Sequence, residues 1–200
     1  MKMKRILVLI CGFLFLNLAQ EVNAEGRTNE AIQLIHKGNI KEAEKILVVE
    51  AEKNDAEACF FLSQIKLLGE YKFVESGLAL LRKSISLGFA PAMDTLAGYY
   101  LHGEFLPKDH QTALMYYQLA ANRGYGPSQF NYGIMLKNGE KTPQDLEDAF
   151  VYLALAALNV DDLGDISEDA AEYRNEVASK LSSQMYQDAL IKIGKFEKKH

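Results

Sequence analysis

Between residues 92 and 124 the small and apolar side chains recur three and four positions apart. Ala92, Leu96, Ala97 and Tyr100 share one helical face, and Gly103 follows. Pro107 and Asp109 then open a second run, in which Ala113, Tyr116, Ala120 and Ala121 form the inner face before Gly124. Spacing of this kind predicts two amphipathic helices joined by a loop. The pattern returns with Ser128, Tyr132, Gly133, Leu136 and Gly139, then Pro143, Asp145, Ala149, Tyr152, Ala156 and Ala157. Upstream, Ala58, Leu62, Ser63 and Gly69 match the first half of the unit, and Gly77, Leu80, Ser84, Ile85 and Gly88 the second. A weaker half-copy carries Ala43, Ile46, Glu50, Ala51 and Asn54, with Asn in the place of the terminal Gly. The pattern predicts helices over 28–37, 40–53, 55–68, 74–87, 91–102, 108–122, 127–138, 143–159, 166–182 and 184–198. No stretch sustains period-two alternation between turn signals, so no sheet is expected.

The punctuation repeats with the helices. Pro91/Pro127, Pro107/Pro143, Gly88/Gly124 and Gly103/Gly139 are each 36 residues apart. Proline suits a helix start and glycine a left-handed helix end. A period of that length belongs to stacked helical hairpins. Thr142, Pro143 and Asp145 read as an N-cap, a first-turn proline and an acidic third position. Asp165 and Glu168 have capping-box spacing.

The run Ala-x-x-x-Leu-Ala-x-x-Tyr-x-x-Gly, followed by Asp-x-x-x-Ala-x-x-Tyr-x-x-x-Ala-Ala-x-x-Gly, extends from Ala92 to Gly124 and resembles the SEL-one-like repeat family, a branch of the tetratricopeptide-like superfamily. The match is specific over 92–157 and looser over 56–88. Residues 28–54, with Gly38-Asn39-Ile40-Lys41-Glu42-Ala43 at the turn, resemble an ordinary tetratricopeptide hairpin. Arg174-Asn175-Glu176-Val177-Ala178 with Leu181 is similar to the helical tail of bacterial members. Leu106-Pro107 in place of Gly-Val, and Gly77 in place of alanine, depart from the pattern. The resemblance implies an all-α fold, an α-solenoid with a half-copy at 28–54 and repeats at 55–90, 91–126 and 127–160, forming an array over 25–160. A C-terminal capping helix pair over 161–200 closes it.

The N-terminus changes the picture of where this array works. Met1-Lys2-Met3-Lys4-Arg5 is basic, Ile6–Ala19 is a short apolar run, and Val22-Asn23-Ala24 offers small residues at a cleavage site. Residues 1–24 therefore read as a secretory signal cut before Glu25, with the periplasm as expected address and outward secretion as the alternative. The run is shorter than the ~20 residues needed to span a bilayer. Ile10 before Cys11 does not suit a lipoprotein. Cleavage removes Lys2, Lys4, Arg5 and Glu21, so 22 − 3 = 19 basic and 27 − 1 = 26 acidic side chains remain, and the net charge moves from −5 to −7. That balance argues against nucleic acid or an anionic membrane as partner. The late lysines Lys192, Lys195, Lys198 and Lys199 read as favourable charge at a helix end.

Catalytic chemistry is not legible. After cleavage Cys59 is the only cysteine, which excludes a disulfide framework. Its place beside Ala58 predicts a packed thiol. The resemblance includes cysteine-rich relatives linked to β-lactam binding or hydrolysis, and their cysteine pairs are absent here. His36, His102, His110 and His200 have no metal-ligand spacing. Gly124-Tyr125-Gly126-Pro127 lacks the ending of a phosphate loop, and Asp161/Asp162 read as turn carboxylates. No enzyme activity, cofactor or metal is expected.

The remaining candidate is a surface. In tetratricopeptide-like arrays the first helix of each hairpin lines the concave face. If Leu62, Leu96 and Tyr132 are equivalent core positions, residues two before, two after and five after each face that groove. This gives Phe60, Gln64 and Leu67; Asp94, Gly98 and Leu101, with His102 next; and Phe130, Ile134 and Lys137. Two readings stand open: an exposed apolar binding stripe, or a superhelix tight enough to bury it. The expected function is an exported adaptor or scaffold for an unidentified protein partner, monomeric or weakly oligomeric. The alternatives are an immunity protein neutralising a delivered antibacterial effector, as the resemblance allows, or an enzyme acting on cell-wall or β-lactam substrates.

Overall fold

The computed structural model describes residues 26–69, 73–139, 144–159, 164 and 166–198. The signal segment, Thr142, Pro143, Asp161, Asp162, Asp165, Lys199 and His200 lie outside them. All regular structure among the described residues is helical: α1 (26–36), α2 (Ile40–Glu52), α3 (Ala56–Leu68), α4 (Val74–Ser86), α5 (Ala90–His102), α6 (His110–Ala121), α7 (Gly126–Asn138), α8 (Leu146–Leu158), α9 (Ile166–Ala178) and α10 (Ser183–Glu197). The sequence places these helices in order, and two boundaries differ by three residues or more. Helix α8 starts at Leu146 because Asp145 is its N-cap, extended at φ −129° and ψ 94°, and accepts a hydrogen bond from the Asp148 amide at 3.0 Å. The acidic residue read as the third helical position thus caps the helix. Helix α9 stops at Ala178, and Ser182 caps α10 by accepting from the Met185 amide at 3.2 Å.

Helix ends follow the repeated punctuation. Gly38, Gly88, Gly103, Gly124 and Gly139 have positive φ, and Asn54 takes the same role at φ 66°. Asparagine tolerates that left-handed well because its side chain is short and polar.

The helices group into two compact units, one ending at Phe89 and the other beginning at Ala90. In the first unit α2 packs on α3 and α3 on α4. Ala31, Ala43, Leu47, Ala51, Ala58, Cys59 and Leu62 form its core. Glu50 is fully buried there, paired with Arg27 at 3.4 Å and Lys53 at 2.9 Å. The Thr28 hydroxyl donates to Asp55, the N-cap of α3, at 2.8 Å, which ties α1 to the next hairpin. A carboxylate removed from water requires such partners.

In the second unit α5 packs on α6, α7 on both α6 and α8, and α8 on both α9 and α10. Ala97, Ala113, Ala121, Ala149 and Ala156 are wholly inaccessible, which is where backbones approach most closely. Tyr117 belongs to this core, whereas Tyr116, read from the sequence as the inner residue, is half-buried and stacks on Tyr100 at 6.2 Å. Among the described residues no helix is long and apolar enough to cross a membrane.

Candidate partner-binding face

Leu62, Leu96 and Tyr132 lie in the core, 4%, 1% and 4% exposed. The residues two positions before them are half-buried and turned toward a neighbouring element. The Phe60 ring lies 5.2 Å from Phe61 and 5.4 Å from Phe89. Asp94 accepts a hydrogen bond from the Ser128 hydroxyl at 2.6 Å and from the Asn131 amide at 3.5 Å. Phe130 meets Tyr173 of α9 at 6.1 Å.

Five positions after the anchors the picture varies. Leu67 is a correction: it is 0% exposed and fills the gap left by Gly77 of α4. Leu101 is half-buried on the core of the second unit. The Lys137 side chain is 13% exposed, held 2.5 Å from Glu176 with its ammonium 4.4 Å from the Tyr173 ring. Helix α9 therefore covers the inner face of α7, and Glu176, between Lys137 and Lys180, is pulled down to about 2 by their hydrogen bonds. Of the residues two after, Gln64 donates to the Ser63 hydroxyl at 3.2 Å and Ile134 packs on the core. His102 is exposed at the end of α5. The expected groove residues are thus divided between the two units, and much of their surface serves packing.

Around Asp94 the second unit keeps polar groups that packing does not use. Both hydrogen bonds to Asp94 end on Oδ1, and no described residue donates to Oδ2. Burial pushes the carboxyl above its ordinary value of 3.8, against the pull of Ser128 and Asn131. The consequence for stability has a definite sign. Below 3.8 both folded and unfolded chains hold the proton; as pH rises through that value the unfolded chain ionises first, and folding loses stability until the folded carboxyl follows. Asp94→Asn keeps an oxygen for Ser128 and Asn131. Its melting temperature is expected to exceed wild type at neutral pH, with the gain fading as the pH falls toward 3.8 and gone below it; an equal difference at all pH values would refute this.

Elsewhere the candidate residues serve packing and capping. The Cys59 thiol is fully buried, 3.8 Å from the Ala51 carbonyl, and burial raises its pKa. Asp109 caps α6 through the Gln111 and Thr112 amides. Among the described residues no three His, Cys, Asp or Glu side chains gather as metal ligands. A hollow of about 360 Å³ lies between α8 and α10, beside Tyr152, Lys195 and Phe196. Lys192 on its rim is tied to Glu147 at 2.7 Å and Asp148 at 2.5 Å, a cross-helix link that the reading of the late lysines as end charge missed.

The Sel1 repeat model matches residues 90–125 and 126–161. A protective antigen of uropathogenic Escherichia coli, which displays an SLR fold, superposes with a TM-score of 0.71 at 25% identity over 89% of this chain. The chain spans 38% of that protein's length. A Sel1 repeat protein from Oxalobacter formigenes superposes with a TM-score of 0.59 at 24% identity, over 65% of this chain and 95% of its own. An immunity protein from Pseudomonas aeruginosa reaches a TM-score of 0.36 at 17% identity, over 68% of this chain and 65% of its own, which supports no argument. No curated protein matches significantly.

Proposed function

We propose, from the premise that residues 90–161 of this Sel1 repeat protein are two Sel1 repeats, that the chain is an exported scaffold that holds a protein partner and performs no catalysis of its own. Sel1 repeat folds generally serve protein–protein interaction, and a repeat array offers a partner a surface assembled from many residues rather than a reaction centre. The observation that carries the reading is the pair of 36-residue repeats packed as one unit, with the hydrogen-bonded Asp94 and Asn131 only partly buried in it. Export rests on the basic, apolar and small-residue segments of residues 1–24, and the periplasm is the proposed address.

The test is affinity capture with the tagged full chain expressed in its own host, followed by mass spectrometry and N-terminal sequencing. The expected result is a processed chain beginning at Glu25 that retains one protein at fixed stoichiometry. Cytosolic protein beginning at Met1 would refute export, and the absence of any retained protein after cross-linking would refute the scaffold.

A further inference from the structure

We propose that Asp94, Tyr117 and Asn131 form a seat for the ammonium head of a lysine side chain, presented by the protein partner over the gap left by Gly98. This rests on the scaffold reading above and names the chemistry by which the second unit recognises its partner.

Three oxygens carry the proposal. Asp94 Oδ2 accepts no hydrogen bond from the described residues. Asn131 uses its amide nitrogen on Asp94 Oδ1, which leaves its own oxygen as a free acceptor. The Tyr117 hydroxyl has no hydrogen-bond partner among the described residues, although the residue is only 4% exposed. None of the three is sealed off from solvent: the buried, unpartnered polar atoms are His110 Nε2 and Gln129 Oε1. Gly98 lies one helical turn on from Asp94, and a Cβ built on it would lie 3.7 Å from the Tyr117 hydroxyl, while Asn131 joins the group through its hydrogen bond to Asp94. The field of Asp94 also reaches Tyr117, adding to burial in holding its proton on.

The identity of the ligand follows from what each alternative leaves unmet. An anion would be repelled by a half-buried carboxylate. An apolar side chain would strip water from three acceptors and return no donor, which is unfavourable by the full desolvation of each. A primary ammonium brings a positive charge and three donors that rotate to separate acceptors, whereas a guanidinium presents a flat fork suited to one carboxylate. Among the described residues no lysine, arginine or histidine neutralises Asp94, so a cation from outside completes a charge the chain leaves uncompensated. Gly98 is consistent with this. Glycine inside a helix is less stable than alanine, and here no packing atom requires its absence of a side chain.

The test is an NMR titration of the ¹⁵N-labelled full chain with N-acetyl-lysine N-methylamide, with the norleucine analogue as neutral isostere. The expected result is shifts confined to the amides around Asp94, Gly98 and Asn131, from the lysine probe alone. Asp94→Asn is expected to weaken binding about tenfold or more. Tyr117→Phe, which keeps the ring, is expected to weaken it several-fold and serves if the first variant is poorly folded. Equal shifts from the norleucine probe, shifts scattered over the acidic surface, no shift at all, or unchanged affinity in both variants would each overturn the seat. Capture of the partner by Asp94→Asn at wild-type strength would overturn the lysine assignment and leave the scaffold standing. Failure of every version to capture a protein would overturn the scaffold, while the titration still decides the seat.

Discussion

Gly133→Ala is expected to destabilise the second unit and Gly98→Ala to stabilise it, although both replace a glycine inside a helix of the same unit. Alanine is the better helix former by about 0.5–1 kcal/mol at either position, so the difference must come from what the new methyl meets. At Gly133 it would lie 2.8 Å from Leu153 Cγ, and 3.2 Å from both its Cδ2 and its backbone nitrogen. Leu153 is wholly buried and its backbone belongs to α8, so neither side can yield without moving the helix pair. Overpacking of this type costs about 1–3 kcal/mol, which outweighs the gain in propensity. At Gly98 the nearest atom is the Tyr117 hydroxyl at 3.7 Å, an ordinary contact, and the gain in propensity survives. Urea denaturation followed by circular dichroism measures both. Changes of the same sign in the two variants would show that the α7–α8 approach is looser than the structure has it.

The periodic part of the fold was legible because it is local. Alanines three and four apart, a proline near a helix start and a glycine or Asn54 at its end each act within one or two turns. Leu62, Leu96 and Tyr132 fall in the core as their spacing requires. The groove was less legible because it depends on what packs beside a helix. Phe130 and Lys137 point away from the core on any helical projection, yet α9 folds across them, and nothing in the α7 sequence specifies that return. Tyr116 and Tyr117 differ by one position, and a three-or-four spacing from Ala113 admits both. The sequence does carry one long-range signal. The partners of Asp94 lie 34 and 37 residues ahead of it, one repeat period on, so a search for polar side chains at that offset from an inward carboxylate finds Ser128 and Asn131.

Leu67→Ala is expected to cost about 2–5 kcal/mol, whereas Leu68→Ala is expected to fall within about 0.5 kcal/mol of wild type. The two neighbours share a residue type, a helix turn and a propensity, and they differ in burial: Leu67 is 0% and Leu68 59% exposed. Leu67 plugs the place on α4 where Gly77 has no side chain; a Cβ there would come within 2.6 Å of Leu67 Cγ and 2.8 Å of its Cδ2. Truncation leaves a cavity that the α3–α4 pair cannot close without sliding one helix along the other. Helical arrays distribute stability over nearest-neighbour interfaces, so the loss should appear first in the unit that ends at Phe89. Hydrogen exchange resolved by residue, read beside the melting curve, locates it there. Because this loss is one of folding, failure of Leu67→Ala to capture a partner would carry no information about the groove. A Leu67→Ala protein that melts with wild type would instead return Leu67 to the accessible face on which helical spacing alone had placed it.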